Sequence, residues 1–148
     1  MSPQVLPERT ADDVRAVIEA WVGLLVEKKY ERAIAMLATL RPLLDPPATE
    51  TGWTPELLAR VIQNYGLLEP REDDKTFSVT PIATTMGNGP RFEVTWFDKP
   101  VGVGWGASVG HAHHDLPLNG EWSDVTATFD ILDTAEGLVL ALDDIHVM

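Results

Sequence analysis

The hydrophobic period of this chain changes once, and that change limits the folds open to it more than any motif does. Up to Gly66 the apolar residues recur at helical spacing, whereas from Phe77 onward they alternate at a period of two. Three N-terminal helices followed by about five strands predict an α+β domain, with the helices packed on one face of a curved antiparallel sheet. No internal repeat, low-complexity tract or linker separates the two blocks, so residues 1–148 read as a single domain.

The first helix is expected over roughly residues 11–27, where Val14, Val17, Ile18, Trp21, Leu24 and Leu25 form an apolar stripe. Thr10 followed by Asp13 has the spacing of a capping box, with Asp in place of Glu. After a short charged turn, EKKYERAIAMLATL repeats the pattern through Tyr30, Ala33, Ile34 and Leu37. Residues 41–47, RPLLDPP, cannot continue a helix, because each proline lacks a donor and restricts the residue before it; an ordered loop is expected. A third helix opens with Thr54 as N-cap, Pro55 at the first helical position and Trp53 placed to staple against Leu58. Its stripe is Leu57, Leu58, Val61, Ile62 and Tyr65, and Gly66 supplies a left-handed stop.

In the second block, Phe92, Val94 and Trp96 alternate with Arg91, Glu93 and Thr95, and Val125, Ala127, Phe129 and Ile131 alternate with Asp124, Thr126, Thr128 and Asp130. Both read as half-buried antiparallel strands. Asn119-Gly120 is a two-residue hairpin signal. The last segment, GLVLALDDIHVM, is apolar on both faces up to Asp143, which predicts a central place in the sheet. The run VGVGWGASVG, residues 101–110, sets glycine at alternate positions and predicts a bent strand or something pressed against its backbone. A nucleotide-binding loop is excluded there, because no helix follows it.

The absence of cysteine excludes a disulfide framework, a thiolate zinc site and a cysteine nucleophile. No apolar run approaches the roughly 20 residues needed to cross a bilayer, and MSPQVLPERT has no secretory pattern, so a cytoplasmic protein is expected. The net charge of -12 is uneven: residues 76–148 hold 10 acids against Arg91 and Lys99 alone. Such a field repels nucleic acid and membranes of anionic lipid and draws in a basic protein, although plain solubility would also account for it.

Three of the four histidines lie in GHAHHDLPLNGEW, residues 110–122. If the alternation runs on without a bulge, His111 and His113 share the face of Val103, Trp105 and Val109, and His114 points the other way. A catalytic site would use His111 or His113 as general base, oriented by Asp115, Asp124 or Asp144. Trp96 and Trp105 would wall its pocket, with Trp122 and His146 as further lining. His111 and His113 with His146 and Asp144 could instead chelate a divalent metal, but no third ligand is set by local spacing, and neither a metal nor any other cofactor is assigned. The simplest alternative is a polar cluster whose imidazoles bond to carboxylates or backbone. Ser108 and Ser123 lack nucleophile-elbow surroundings. Asp143 and Asp144, with Asp130, Asp133 and Glu136, lack the spacing of a calcium loop; solvated charge or a docking patch for a basic protein would explain them.

The stretch VGLLVEKKYERAIAMLATL, the proline-rich loop after it and TPELLARVIQNYG together resemble the opening helices of the nuclear-transport-factor-2-like superfamily, over roughly residues 11–66. That resemblance implies a cone-like fold in which a bent sheet wraps a long helix around a cavity, and often a homodimer paired through the sheet. The superfamily holds isomerases, dehydratases, ligand carriers, scaffolds and immunity proteins, so it does not choose a function. The chain departs from the pattern in placing all its strands after the third helix. The reading that fits best is a small acidic binding protein, in its sharpest form a bacterial immunity-type inhibitor of a basic toxin. The alternatives are a small-molecule cavity enzyme of hydratase, isomerase or hydrolase type, and a His/carboxylate metal site.

Overall fold

The computed structural model describes residues 3–38, 53–103 and 106–148. The predicted loop over 41–47 and Trp105 lie outside the described residues. Within them the chain is α+β, with helices α1 (Ala11–Val26), α2 (Tyr30–Ala35) and α3 (Pro55–Gln63) preceding strands β1 (Phe92–Val103), β2 (Gly106–Leu118), β3 (Glu121–Thr134) and β4 (Gly137–Val147). None of the helices described is long and apolar enough to cross a membrane.

The helix starts follow the local chemistry. Thr10 Oγ1 accepts from the Asp13 amide at 3.1 Å, and the Asp13 carboxylate reaches back to the Glu8 amide at 2.8 Å rather than to the cap itself. Thr54 Oγ1 accepts from the Leu57 amide at 3.1 Å with Pro55 at the first helical position. Lys28 adopts a left-handed φ of 57° between α1 and α2. The second helix is shorter than its apolar pattern predicts. Beyond Ala35 the backbone finds partners outside the helix: the Ala38 amide donates to Leu140 of β4 at 2.7 Å, and the Met36 carbonyl accepts from the Gln4 amide at 2.8 Å.

The sheet is an antiparallel meander in the order β1-β2-β3-β4. It has four strands among the described residues, not about five, because the segment from Phe77 forms only isolated bridges, Val79 with Leu118 and Met86 with Glu121. Asn119 and Gly120, with φ of 51° and 85°, close the β2-β3 hairpin between the paired Leu118 and Glu121. Asn119 also holds the preceding segment, since its Oδ1 accepts from the Ser78 amide at 3.0 Å and its Nδ2 donates to Thr76 at 3.2 Å.

The glycine-rich run is not one bent strand. Val101–Val103 close β1 and Gly106–Gly110 open β2, with Val103 paired to Gly106. Close approach does operate at Gly110, where a Cβ would meet the Thr95 carbonyl at 2.8 Å and the Trp96 ring at 3.1 Å. The strand β4 lies at the end of the sheet rather than in its centre. Its two apolar faces have another cause: Val5 bridges Val139 along its outer edge, and Ala38 packs with Leu132, Val139 and Ala141 in a small cluster.

The main core lies between the helices and the other face of the sheet. Val14, Val17, Ile18, Trp21, Val22 and Leu25 of α1 are buried against Ala112, Ala127, Phe129, Ile131 and Ile145. Trp21 meets Phe129 edge-on at 5.2 Å, a contact worth about 0.5–1.5 kcal/mol beyond its buried area.

Candidate functional site

The face of the sheet turned away from α1 carries most of the reactive side chains, and the register arranges them in rows. One row crosses β2, β3 and β4 as Asp115, Thr126 and His146; the next crosses all four strands as Glu93, His113, Thr128 and Asp144; the third reads Thr95, His111, Asp130 and Ala141. Paired residues share a face and stand about 5 Å apart, so these three rows span roughly 13 by 14 Å. Glu93, Thr95, Asp143 and Asp144 are exposed, His111, His113, Asp130 and His146 are half-buried, and Asp115, Thr126 and Thr128 are buried beneath them.

The register shift in β2 between Ser108 and Gly110 decides which residues join this face. The extra residue, Val109, is buried in the main core, so His111 and His113 do not share its face as unbroken alternation would require. Trp96 pairs with Gly110 and packs on the helix side, with the Arg9 guanidinium 4.8 Å from its ring. Trp122 stands 5.9 Å from His114, again on the helix side. The structure thus brings His111, His113, Asp115 and His146 onto one face and sets Trp96 and Trp122 on the other.

Asp115 is anchored. Its Oδ2 accepts from Arg91 Nε at 2.9 Å and from the Arg91 amide at 3.0 Å, while Oδ1 accepts from Thr126 Oγ1 at 2.7 Å. Burial pushes its carboxyl up, but the hydrogen bonds from Arg91 and Thr126 outweigh that and hold it below the usual carboxylate value. Three such bonds hold Asp115 in place, and among the described residues no histidine side chain bonds its carboxylate. Asp130 is the opposite case. Burial, then the charge of Asp143, raise its carboxyl above the ordinary value against the opposing Ser108 hydrogen bond and the nearby His111. Ser108 Oγ lies 3.2 Å from Asp130 Oδ1. His146 Nδ1 approaches Asp144 Oδ2 to 3.1 Å, at ion-pair distance but without hydrogen-bond alignment.

Among the described residues no group of three His, Asp or Glu side chains is placed to hold a metal ion.

The sequence pointed to His111 and His113, yet the most perturbed imidazole is His114. Its ring is fully buried between Phe92 at 5.8 Å and Trp122 at 5.9 Å. Nδ1 lies 2.6 Å from the Asp115 carbonyl, which makes it the protonated nitrogen, and the buried Nε2 has no partner among the described residues. Burial holds this histidine below its ordinary value. The parity of the strand already set it apart from its two neighbours; its depth depends on the helix above it. No protein-family model matches the chain, and neither the curated proteins nor the solved structures contain a match.

Proposed function

We propose that this is a small, non-catalytic binding protein that holds a basic protein partner on the polar face of its sheet. An immunity-type inhibitor of a basic toxin is the sharpest form of that role, and a cone-like, nuclear-transport-factor-2-like ancestry is its proposed background. One observation carries the proposal. Glu93, Asp130, Asp143 and Asp144 lie on this one side of the sheet, and the only Lys or Arg ion pair found there among the described residues is that of Arg91 with Asp115. Burial first, and then the charge of Asp143, push the Asp130 carboxyl up, and a cationic partner would offset the second of these.

Magnitudes set what this charge can do. An exposed ion pair contributes about 0.2–1 kcal/mol, so four carboxylates supply roughly 1–4 kcal/mol. A micromolar complex requires about 8 kcal/mol. The carboxylates therefore govern encounter and partner choice, and affinity needs further contact. Area leads to the same conclusion, because a patch of roughly 13 by 14 Å falls well short of the ~800 Å² per partner of an ordinary stable interface.

The test is calorimetric titration of the full chain with an oligolysine peptide at low salt. Glu93→Gln, Asp143→Asn and Asp144→Asn combined should weaken binding about tenfold. Glu56→Gln, Glu72→Gln and Asp74→Asn, which remove the same formal charge elsewhere, should leave it nearly unchanged. Equal loss in the two triple variants would contradict a localised binding face. An acid-base enzyme is the alternative favoured by one observation, the pairing of His111 with the raised Asp130. His111→Ala should abolish turnover in that case, whereas retained turnover would remove the His111–Asp130 pair from the reaction.

A further inference from the structure

We infer that two copies of this chain pair through the outer edge of β1, in an antiparallel two-fold register centred on Val94, and so join their sheets into one. This goes beyond the binding role proposed above and stands whether or not that role holds.

The two edges of the sheet are treated differently. Along the outer side of β4, Val5 bridges Val139, the Leu6 amide donates to the Leu138 carbonyl at 2.8 Å and the Ala38 amide to the Leu140 carbonyl at 2.7 Å, so that edge is covered. In contrast, β1 pairs with β2 alone, and among the described residues nothing bonds the backbone on its other side from Phe92 to Trp96. Alternation identifies the groups left over. The Asp115 amide donates to the Arg91 carbonyl at 3.1 Å, in register with the pairing of Glu93 to His113 and Thr95 to His111. These residues turn their N–H and C=O groups toward β2, so Phe92, Val94 and Trp96 turn theirs outward. An open edge of this kind is ordinarily blunted by proline, lysine or a bulge. Such guards come only after Trp96, where the register shifts before Val101 and Lys99 and Pro100 occupy the break. The side chains of Phe92, Val94 and Trp96 pack on the core from the helix side yet stay half-buried, as expected of a strand with a neighbour on one flank.

Self-complementarity selects a second copy as the occupant. Pairing about Val94 sets that residue against its own counterpart and Phe92 against Trp96 of the second copy, so all three outward residues exchange hydrogen bonds and an aromatic pair forms on each side of the axis. On the polar side the same register sets Glu93 against Thr95. Neighbouring registers fare worse, because centring on Glu93 opposes two like charges and centring on Thr95 opposes Arg91 to Lys99. Arg15 and Arg9, 5.4 Å and 4.8 Å from the Phe92 and Trp96 rings, would approach one another across the axis, and Glu19, 3.7 Å from Arg15, offsets that charge. The assembly closes at two copies, since pairing consumes both bare edges and leaves only the covered β4 edges outside. Paired residues share a face, so the two acidic faces would lie side by side.

Sedimentation of the full chain from micromolar to millimolar concentration, at physiological and at high salt, tests this. A dimer is expected, and it should tighten with salt, because the net charge of -12 on each copy opposes pairing and salt screens it. Amide hydrogen exchange locates the contact. Exchange at Phe92, Val94 and Trp96 should slow about tenfold or more between the dilute and the concentrated protein, whereas Glu93 and Thr95, bonded to β2, should be slow in both. Val94→Pro removes an outward N–H and leaves the β2 ladder intact, so it should fold and remain monomeric. A monomer at every concentration would overturn the inference, as would a dimer in which those three amides stay fast, or one that Val94→Pro leaves unchanged. The exchange pattern is read on the wild type, so it decides the matter even where the proline variant unfolds.

Discussion

Replacing His114 with phenylalanine should remove an acid-sensitive step from the unfolding of this protein. The ring fills a fully buried position between Phe92 and Trp122, its Nδ1 is committed to the Asp115 carbonyl, and a proton added at Nε2 would find no acceptor. Among the charged groups facing it, Arg15 of α1 opposes the proton, while Glu19 of α1 and Asp115 of β2 favour it; burial outweighs them and lowers the folded value. A histidine lowered on folding leaves stability unaffected well above its unfolded value of about 6.5 and drains it as pH falls below that value, because the unfolded chain takes up the proton first. For one proton the loss between pH 7.5 and 5.5 amounts to as much as about 1.4 kcal/mol, and it levels off once the folded state is protonated too. Phenylalanine keeps most of the ring volume, forfeits one hydrogen bond of about 1 kcal/mol and removes an unpaired buried nitrogen that costs about 1–3 kcal/mol. The two proteins should therefore be similar at pH 7.5, with the variant gaining up to about 1.4 kcal/mol on the wild type by pH 5.5. Urea unfolding at pH 7.5, 6.5 and 5.5 measures this difference directly. Parallel pH dependences in the two proteins would refute the buried, neutral imidazole.

Three other perturbations have defined outcomes. Asp130→Asn should raise the urea midpoint at pH 7, because a carboxyl whose folded value is raised costs stability when ionised; the gain should fade as pH drops through the folded value toward about 4. Asp115→Ala takes the carboxylate partner from the Arg91 amide and leaves the buried Thr126 hydroxyl only its 3.4 Å contact to the Asp124 carbonyl, and should cost about 2–4 kcal/mol near neutrality. The cost should shrink below pH about 4, where the wild type loses the stabilisation of its lowered carboxylate, and chemical denaturation across that range reports it. Gly110→Ala forces a methyl to within 2.8 Å of the Thr95 carbonyl, and a loss of about 1–3 kcal/mol in thermal or urea unfolding is expected.

Features set by neighbouring residues were legible in the sequence. The Thr10 and Thr54 caps, the Pro55 start of α3 and the Asn119-Gly120 hairpin all arise from contacts a few residues apart, and each stands in the structure; β3 is antiparallel as expected but buried on both faces from Val125 to Phe129 rather than half-buried. What escaped depends on distant chain. The bulge at Val109 leaves no mark in the local pattern, yet it moves Val109 to the opposite face from His111 and His113; Trp96 lies on that opposite face through its own pairing with Gly110. The shortening of α2 and the edge position of β4 share one cause, the pairing of residues near Val5 and Ala38 along that edge. A strand apolar on both faces reads as central whether strands or loops cover it. Likewise, the pairing of His111 and His113 follows from their spacing, whereas the isolation of His114 requires α1 above the sheet.

The central claim is that the polar face of the sheet receives a cationic partner. Chemical-shift mapping of the isotope-labelled chain during titration with oligolysine at low salt tests it most directly. Perturbations should concentrate on Glu93, His111, His113, Asp130, Asp143, Asp144 and His146, the residues of the three rows and the bulge beside them. Shifts spread evenly over every acidic stretch, including Asp12, Glu31, Glu56 and Glu72, would contradict the claim and reduce the acidity of this chain to solubility alone.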